Sequence, residues 1–312
     1  MMDAVTAAHR KLDTDFLNAL EALAATPAPN WWRDVLTNDD LFIAVRRNSL
    51  NVYYRGASIF KIDWVNGRIV PSTHVKYLVR QAQTYVPLID GRFQYPAAAS
   101  MWESYEGAET LRQMMRAATS FAGAEKSGLH PLLVGDPSII DAEIALTRAA
   151  TEEAATQQQD RLDAAVIRNT KTGPEVVFCE AKHFTNVALR ANGDGLPTVI
   201  GQIKDYESAL TRYANALKEG YVEVASALVR INAMKKLVRS GDAPTLHDAI
   251  LHIAESKIPP AIDAKPHLLI FGFDKAQRDD PAWRVHLQKL EHHLGGRVRA
   301  IGNPTRQSVA IR

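Results

Sequence analysis

The stretch Val176-Val177-Phe178-Cys179-Glu180-Ala181-Lys182 decides how this chain is read. It is a short apolar run, bounded upstream by Pro174, that ends on a carboxylate and an ammonium two positions apart. Alternate side chains of a β-strand share a face, so Glu180 and Lys182 point one way and Cys179 and Ala181 the other. An acid and a base at the mouth of a buried strand are costly to desolvate unless they pair or hold a metal. Upstream, Gln159 to Arg168 reads as a second strand, separated from the first by the turn-rich Asn169-Thr170-Lys171-Thr172-Gly173-Pro174. Such a connection suits antiparallel neighbours and brings Asp163 beside Glu180 and Lys182. Two carboxylates with a lysine suit a hard divalent cation such as Mg2+, which takes oxygen ligands and completes its shell with water and phosphate oxygens.

Further motifs follow in order. Asp163 and then Glu180-Ala181-Lys182 reproduce an Asp...(Asp/Glu)-x-Lys signature, and Gln202-Ile203-Lys204-Asp205-Tyr206 a Gln-x-x-x-Tyr motif whose two named residues share a face on a helix. On these residues the chain, over about residues 100 to 230, resembles the PD-(D/E)XK nuclease superfamily, the restriction-endonuclease-like phosphodiesterases, in its RecB-like branch. A lone Glu-x-Lys is common in charged proteins; the ordered combination carries the resemblance. Leu162 stands where the signature name has proline, which leaves the position of Asp163 unchanged.

The resemblance implies an α/β fold: a restriction-endonuclease-like mixed central sheet flanked by helices, here with an N-terminal β-rich extension. It implies one or two Mg2+ (or Mn2+) ions on Asp163, Glu180, the main-chain carbonyl of Ala181 and an upstream acid. Lys182 would orient the attacking water, and Gln202 and Tyr206 would position substrate or Lys182. Glu143, within Ile139-Ile140-Asp141-Ala142-Glu143-Ile144-Ala145-Leu146, is preferred as the upstream acid over Glu109, Glu106 and Glu103. The apolar alternation there favours a strand, on which Asp141 and Glu143 share a face. The implied activity is metal-dependent hydrolysis of nucleic acid, DNA first, in defence or repair, with endo or exo action open and a homodimer expected for double-strand cutting. The alternatives are a non-catalytic nucleic-acid-binding or assembly module of the same fold, and a surface ion pair between Glu180 and Lys182 with no chemistry.

Length and composition bound the rest. A chain of 312 residues with 46% hydrophobic content can bury one large core or two modest ones. The expected division is a helix plus β-meander extension over 1–98 and a nuclease-like domain over 99–312. No long apolar run or signal-peptide order appears, so a cytoplasmic location and no membrane contact are expected. The single cysteine, Cys179, excludes an internal disulfide and a thiolate zinc site. Neither His247 and His252 nor the adjacent His292 and His293 have metalloprotease spacing, and no phosphate-binding glycine loop occurs, so any ATPase would be another chain.

Net charge is only +2, from 37 basic and 35 acidic residues, but its distribution is uneven. Arg46, Arg47, Arg55, Lys61, Arg68, Lys76 and Arg80 face only Asp63 between residues 41 and 80. Asp136, Asp141, Glu143, Glu152, Glu153, Asp160 and Asp163 face Arg148 and Arg161 between 134 and 163. A basic surface beside an acidic metal cleft would suit a phosphodiester, although solvated strands would look alike. Tyr53, Tyr54 and Arg55 would stack on bases and meet phosphate, or form core and rim.

Periodicity predicts a helix near 13–25, strands near 41–45, 50–55 and 58–64, and a helix near 109–122 with Leu111, Met114, Met115, Ala118 and Phe121 on one face. Core strands are expected near 138–146, 160–168 and 175–183. After a Gln202 helix come helical segments near 209–217, 221–238 and 245–255, then a strand at 267–273, a helix at 282–294 and a last strand at 298–301. Lys235, Lys236 and Arg239 end a helix where cations complement its dipole.

Overall fold

The computed structural model describes residues 10–78, 88–89, 92–93, 104–147 and 159–311. The boundary expected at 98/99 falls outside them, as do Arg80, Glu103, Arg148, Glu152 and Glu153. Helix α1 (Thr14–Ala25) buries Phe16, Leu17, Leu20 and Ala24, the stripe its 3.6-residue period dictates. Helix α2 (Trp31–Thr37), not anticipated from periodicity, starts where the Asn30 side chain accepts from the Arg33 amide. A four-stranded antiparallel meander follows, β1 (Phe42–Arg46), β2 (Ser49–Tyr54), β3 (Ala57–Val65) and β4 (Arg68–Ser72). Three strands were expected. The fourth arises because Asn66 and Gly67, at φ 49° and 74°, accept the left-handed backbone of a tight hairpin.

Beyond the short pair β5 (Leu88–Ile89) and β6 (Arg92–Phe93) come α3 (Ala108–Phe121) and α4 (Ala124–Gly135). Leu111, Met114, Met115 and Ala118 of α3 are buried, but Phe121, expected on that face, is exposed at the helix end against Tyr77 and Lys76. The central sheet contains β7 (Ile139–Thr147), β8 (Gln159–Thr170), β9 (Gly173–His183), β10 (Ala261–Phe271) and β11 (Val298–Gly302) in the order β11-β10-β9-β8-β7. Strands β7, β8 and β9 are antiparallel, whereas β9, β10 and β11 run parallel, so the sheet is mixed. Helix α5 (Val199–Val238) packs on one face and α4 on the other, with α6 (Asp248–Ser256), α7 (Lys275–Asp279) and α8 (Pro281–Leu294) completing an α/β arrangement. No helix among the described residues is long and apolar enough to cross a membrane.

Helix α5 replaces the separate helices expected at 202, 209–217 and 221–238. It runs 40 residues without interruption, about 60 Å at 1.5 Å per residue. A helical Gly costs only about 1 kcal/mol, and Gly220 is buried in a stripe that includes Tyr206, Leu210, Tyr213, Leu217, Tyr221 and Val224. Packing along the sheet therefore overrides this weak mid-helix breaker, and Gly201 falls in the first turn. Lys235 and Lys236 do end this helix, and Arg239 just beyond it donates to the Leu36 carbonyl and pairs with Asp39.

A buried brace ties the meander to the sheet. Asp141, with 0% exposure, accepts from Arg10 Nε at 2.6 Å and from Arg46 Nη1 at 2.6 Å, while Arg46 Nη2 donates to the Ala142 carbonyl at 2.6 Å. Burial alone would raise the Asp141 carboxyl, but Arg46 and then Arg10 outweigh it and hold it below its usual range. Arg46 and Asp141 are thus internal counter-ions and not parts of opposed basic and acidic surfaces. Tyr53 is likewise buried under the Arg46 guanidinium, and Tyr54 packs edge-on against His130, so neither forms a free stacking platform. Asp136 is buried too, accepting from Ser138 and the Ala310 amide.

Removing one member of a buried ion network leaves the other charges uncompensated, a loss of about 3–5 kcal/mol. Asp141→Ala should lower unfolding free energy by that amount in urea titrations at pH 7. A loss below about 1 kcal/mol, the value of a surface pair, would remove the brace from the account.

Candidate active site

Strand register alone lines up three acids. Ala142 pairs with Ala164 and Ile144 with Leu162, which sets Glu143 opposite Asp163. Ala164 pairs with Cys179, and one step further along that antiparallel ladder Asp163 stands opposite Glu180. The carboxylates form a row across β7, β8 and β9, and all are buried, at 5%, 5% and 2% exposure. Like charges at facing positions of a ladder repel, so this row needs cations.

Two lysines and an arginine meet that need, the arginine being Arg161, whose Nη1 stands 3.6 Å from Glu143 Oε2. Lys126, in the first turn of α4, places Nζ 2.7 Å from Glu143 Oε1 and 2.6 Å from Asp163 Oδ1. Lys182 Nζ donates to Glu180 Oε1 at 2.5 Å. Asp163 Oδ2 accepts from the Ala181 amide at 2.7 Å, which fixes it against β9. From α5, Gln202 Nε2 donates to Glu180 Oε1 at 3.0 Å and to the Tyr206 hydroxyl at 2.5 Å, and that hydroxyl donates to the Arg161 carbonyl at 3.3 Å. Gln202 and Tyr206 act as one prop because residues four apart on a helix are stacked neighbours. Just beyond Lys182, Glu125 of α4 accepts from the His183 amide and from Asn186 Nδ2. There the His183 ring lies against Gly272 so closely that a Cβ would stand 2.2 Å from it, and Gly272 has φ 77°; only glycine fits.

The expectation that Asp141 and Glu143 share a face fails. Ala142 and Ala164 pack in the smaller cluster under α4, whereas Ile144 and Leu162 pack in the larger one with α5. Residues two apart on a regular strand would share a side, so both strands leave strict alternation at Glu143 and Asp163. Glu143 has φ 55°, a left-handed conformation rare for a non-glycine residue in a strand. That twist sends Asp141 to the arginines and Glu143 to Lys126. Strand β9 keeps its period: Val176 and Phe178 face the larger cluster, while Cys179 and Ala181 face the smaller.

Of the other upstream candidates, Glu109 pairs with Arg112 and accepts from Gln113 on its own helix, and Glu106 contacts Ser104. None of these bonds joins them to the row. Lys126 and Glu125 were missed because Gly128, Pro131 and Gly135 break up the helical pattern of α4; the legible signal was Leu129, Leu132 and Leu133 at helical spacing.

The electrostatics identify what the row lacks. Burial and then the charge of Asp163 push the Glu180 carboxyl up to about 8, against the opposing pull of Lys182. Burial would depress both lysines, but Glu180 holds Lys182 above its ordinary value, and Asp163 and Glu143 do the same for Lys126. Burial raises the Cys179 thiol, which stays protonated and inert. Glu180 Oε2 is buried with no hydrogen-bond partner. Among the described residues no three carboxylate, histidine or cysteine groups stand as a ready coordination shell, since ammonium groups fill the spaces between the acids. The donor set nevertheless fits a hard divalent ion: three carboxylates whose oxygens are hard ligands, one of those oxygens without a partner.

The raised Glu180 carboxyl has a pH signature. Between about pH 4.5 and pH 8 the folded state retains a proton that the unfolded chain has released, so stability falls as pH rises through that window. Glu180→Gln, neutral throughout, removes this dependence, and Lys182 stays charged across the whole interval. Without divalent ions, wild-type unfolding free energy should therefore fall relative to Glu180→Gln by at least about 1.4 kcal/mol, one pKa unit, from pH 5 to pH 8. A flat difference would show that Glu180 ionises normally.

The chain matches no protein-family model, no curated protein and no solved structure, so the chemistry of this site rests on its own residues.

Proposed function

We propose that this chain is a divalent-metal-dependent phosphodiesterase acting on nucleic acid, DNA first, on a restriction-endonuclease-like sheet. The observation that carries the reading is the buried row Glu143, Asp163 and Glu180, with Glu180 Oε2 left unbonded beside a lysine. A purely structural site would gain by pairing that oxygen. Asp163, Glu180, Glu143 and the Ala181 carbonyl would hold Mg2+ or Mn2+. When bound, the ion would polarise the scissile phosphate and lower the pKa of water.

The chain's own residues divide the remaining work. Lys182 keeps its proton, so it stabilises charge building on phosphorus and orients the water, and it is not a general base. Gln202 fixes Glu180 Oε1 and thereby leaves Oε2 as the free ligand atom, and Tyr206 fixes Gln202. At the same strand end, where Phe271 pairs with His183, a cleft of about 680 Å³ is lined by Phe273, Lys275, Arg278 and Arg299. Asp274 also lines it and Arg278 is paired with Asp279, and none of the three carboxylates of the row lines it, so it adds no argument for the substrate. The non-cleaving nucleic-acid-binding reading is favoured by one observation, the Lys126 ammonium seated between Glu143 and Asp163.

The assay is incubation of the full chain with labelled linear and circular DNA and with RNA, with and without Mg2+ or Mn2+. Asp163→Asn and Lys182→Ala should each reduce metal-dependent cleavage by about 10²-fold or more, the scale for losing a group that stabilises transition-state charge. Tyr206→Phe, acting through Gln202, should cost less than about tenfold. A folded wild type that binds but cuts neither nucleic acid in either ion would leave the binding module standing.

A further inference from the structure

We propose that Lys126 is a built-in counter-ion that holds the place of a divalent cation between Glu143 and Asp163 and must leave before the metal enters. The inference rests on the metal-dependent reading above. Its Nζ lies 2.7 Å from Glu143 Oε1 and 2.6 Å from Asp163 Oδ1, bridging facing carboxylates on neighbouring strands as an ion would. Glu143 and Asp163 would hold a divalent ion through carboxylate oxygens of the kind Lys126 now engages. An ammonium and a metal cannot share them, because both would occupy the same few ångströms and like charges repel.

The position of Lys126 is prepared by the fold. Its stem crosses the turn between β2 and β3, where Gly56 has φ 75° and no side chain; a Cβ there would stand 2.8–2.9 Å from Lys126 Cβ, Cγ and Cδ. Gly56 thus opens the track along which the lysine reaches the acids. The side chain is still one-third exposed, at 33%, so the head group has a route back to solvent or to an incoming phosphate. Lys182, by contrast, is 11% exposed at its side chain and bonds the third acid. The two lysines would therefore differ in role: Lys182 would stay beside an ion held by the acids, and Lys126 would give up its place. Apo protein would hold its acids in register without metal, and metal binding would be weak until nucleic acid supplies phosphate for the released ammonium.

The test is calorimetric titration of Mn2+ into the full chain without nucleic acid, for wild type, Lys126→Met and Asp163→Asn. Lys126→Met should bind at least tenfold more tightly than wild type, with Asp163→Asn abolishing that binding. Equal or weaker affinity in Lys126→Met, with binding still dependent on Asp163, overturns the exchange and leaves the metal-dependent reading intact. No Asp163-dependent binding in either protein overturns both. Should Lys126→Met fail to fold, amine acetylation of wild type read by mass spectrometry decides: saturating Mn2+ should raise the Lys126 labelling rate severalfold without changing that of Lys61, and an unchanged Lys126 rate overturns the exchange.

Discussion

Three carboxylates buried in a row across neighbouring strands are the constraint on which the rest of the site depends. Glu143, Asp163 and Glu180 cannot all be ionised and dry unless cations stand among them, and the chain supplies Lys126 from one face of the sheet and Lys182 from its own strand. Arg161 adds a third cation beside Glu143, yet Glu180, pushed upward first by burial and then by Asp163, keeps one oxygen without a hydrogen-bond partner. A fold carries a buried acid with an unbonded oxygen at a cost to stability, which is the usual mark of a site built to receive something.

The surroundings can be understood as support for that row. Arg10 and Arg46 hold Asp141 two residues from Glu143, and Arg46 also grips the Ala142 carbonyl, so the meander fixes the strand exactly where Glu143 adopts its left-handed backbone. Helix α5 props Glu180 through Gln202 and Tyr206, and α4 brings Lys126 and Glu125 to the opposite side. Each face of the sheet thus contributes one helix to the site, and a single packed core joins α1, α2, the meander, β7 and α5 behind it.

Much of this was legible in the sequence because it depends on period and register. The alternation around Glu180 and Lys182, the turn after Arg168 and the four-residue spacing of Gln202 and Tyr206 are local patterns, and the strands and helix they imply occur where the patterns stand. The illegible parts depend on tertiary context. Nothing local says that Glu143 will twist away from Asp141, because the partners that accompany the positive φ, Arg10 and Arg46 on Asp141 and Lys126 on Glu143, come from distant segments. Pro131 and two glycines masked α4, and with it the lysine that bridges the acids. In the basic run between residues 41 and 80, Arg47, Lys61 and Arg68 are exposed as a surface reading expects, whereas Arg46 turns inward to Asp141, because sequence shows charge but not a distant partner. By contrast, the Asn66-Gly67 hairpin was a strong local signal that strand reading simply passed over.

The most direct measurement of the central claim is anomalous diffraction from crystals of the full chain soaked in Mn2+. The account predicts a peak bonded to Glu143, Asp163 and Glu180 oxygens, including Glu180 Oε2, with the Lys126 ammonium displaced. Saturating Mn2+ with no peak there, and Lys126 still bridging Glu143 to Asp163, would contradict it.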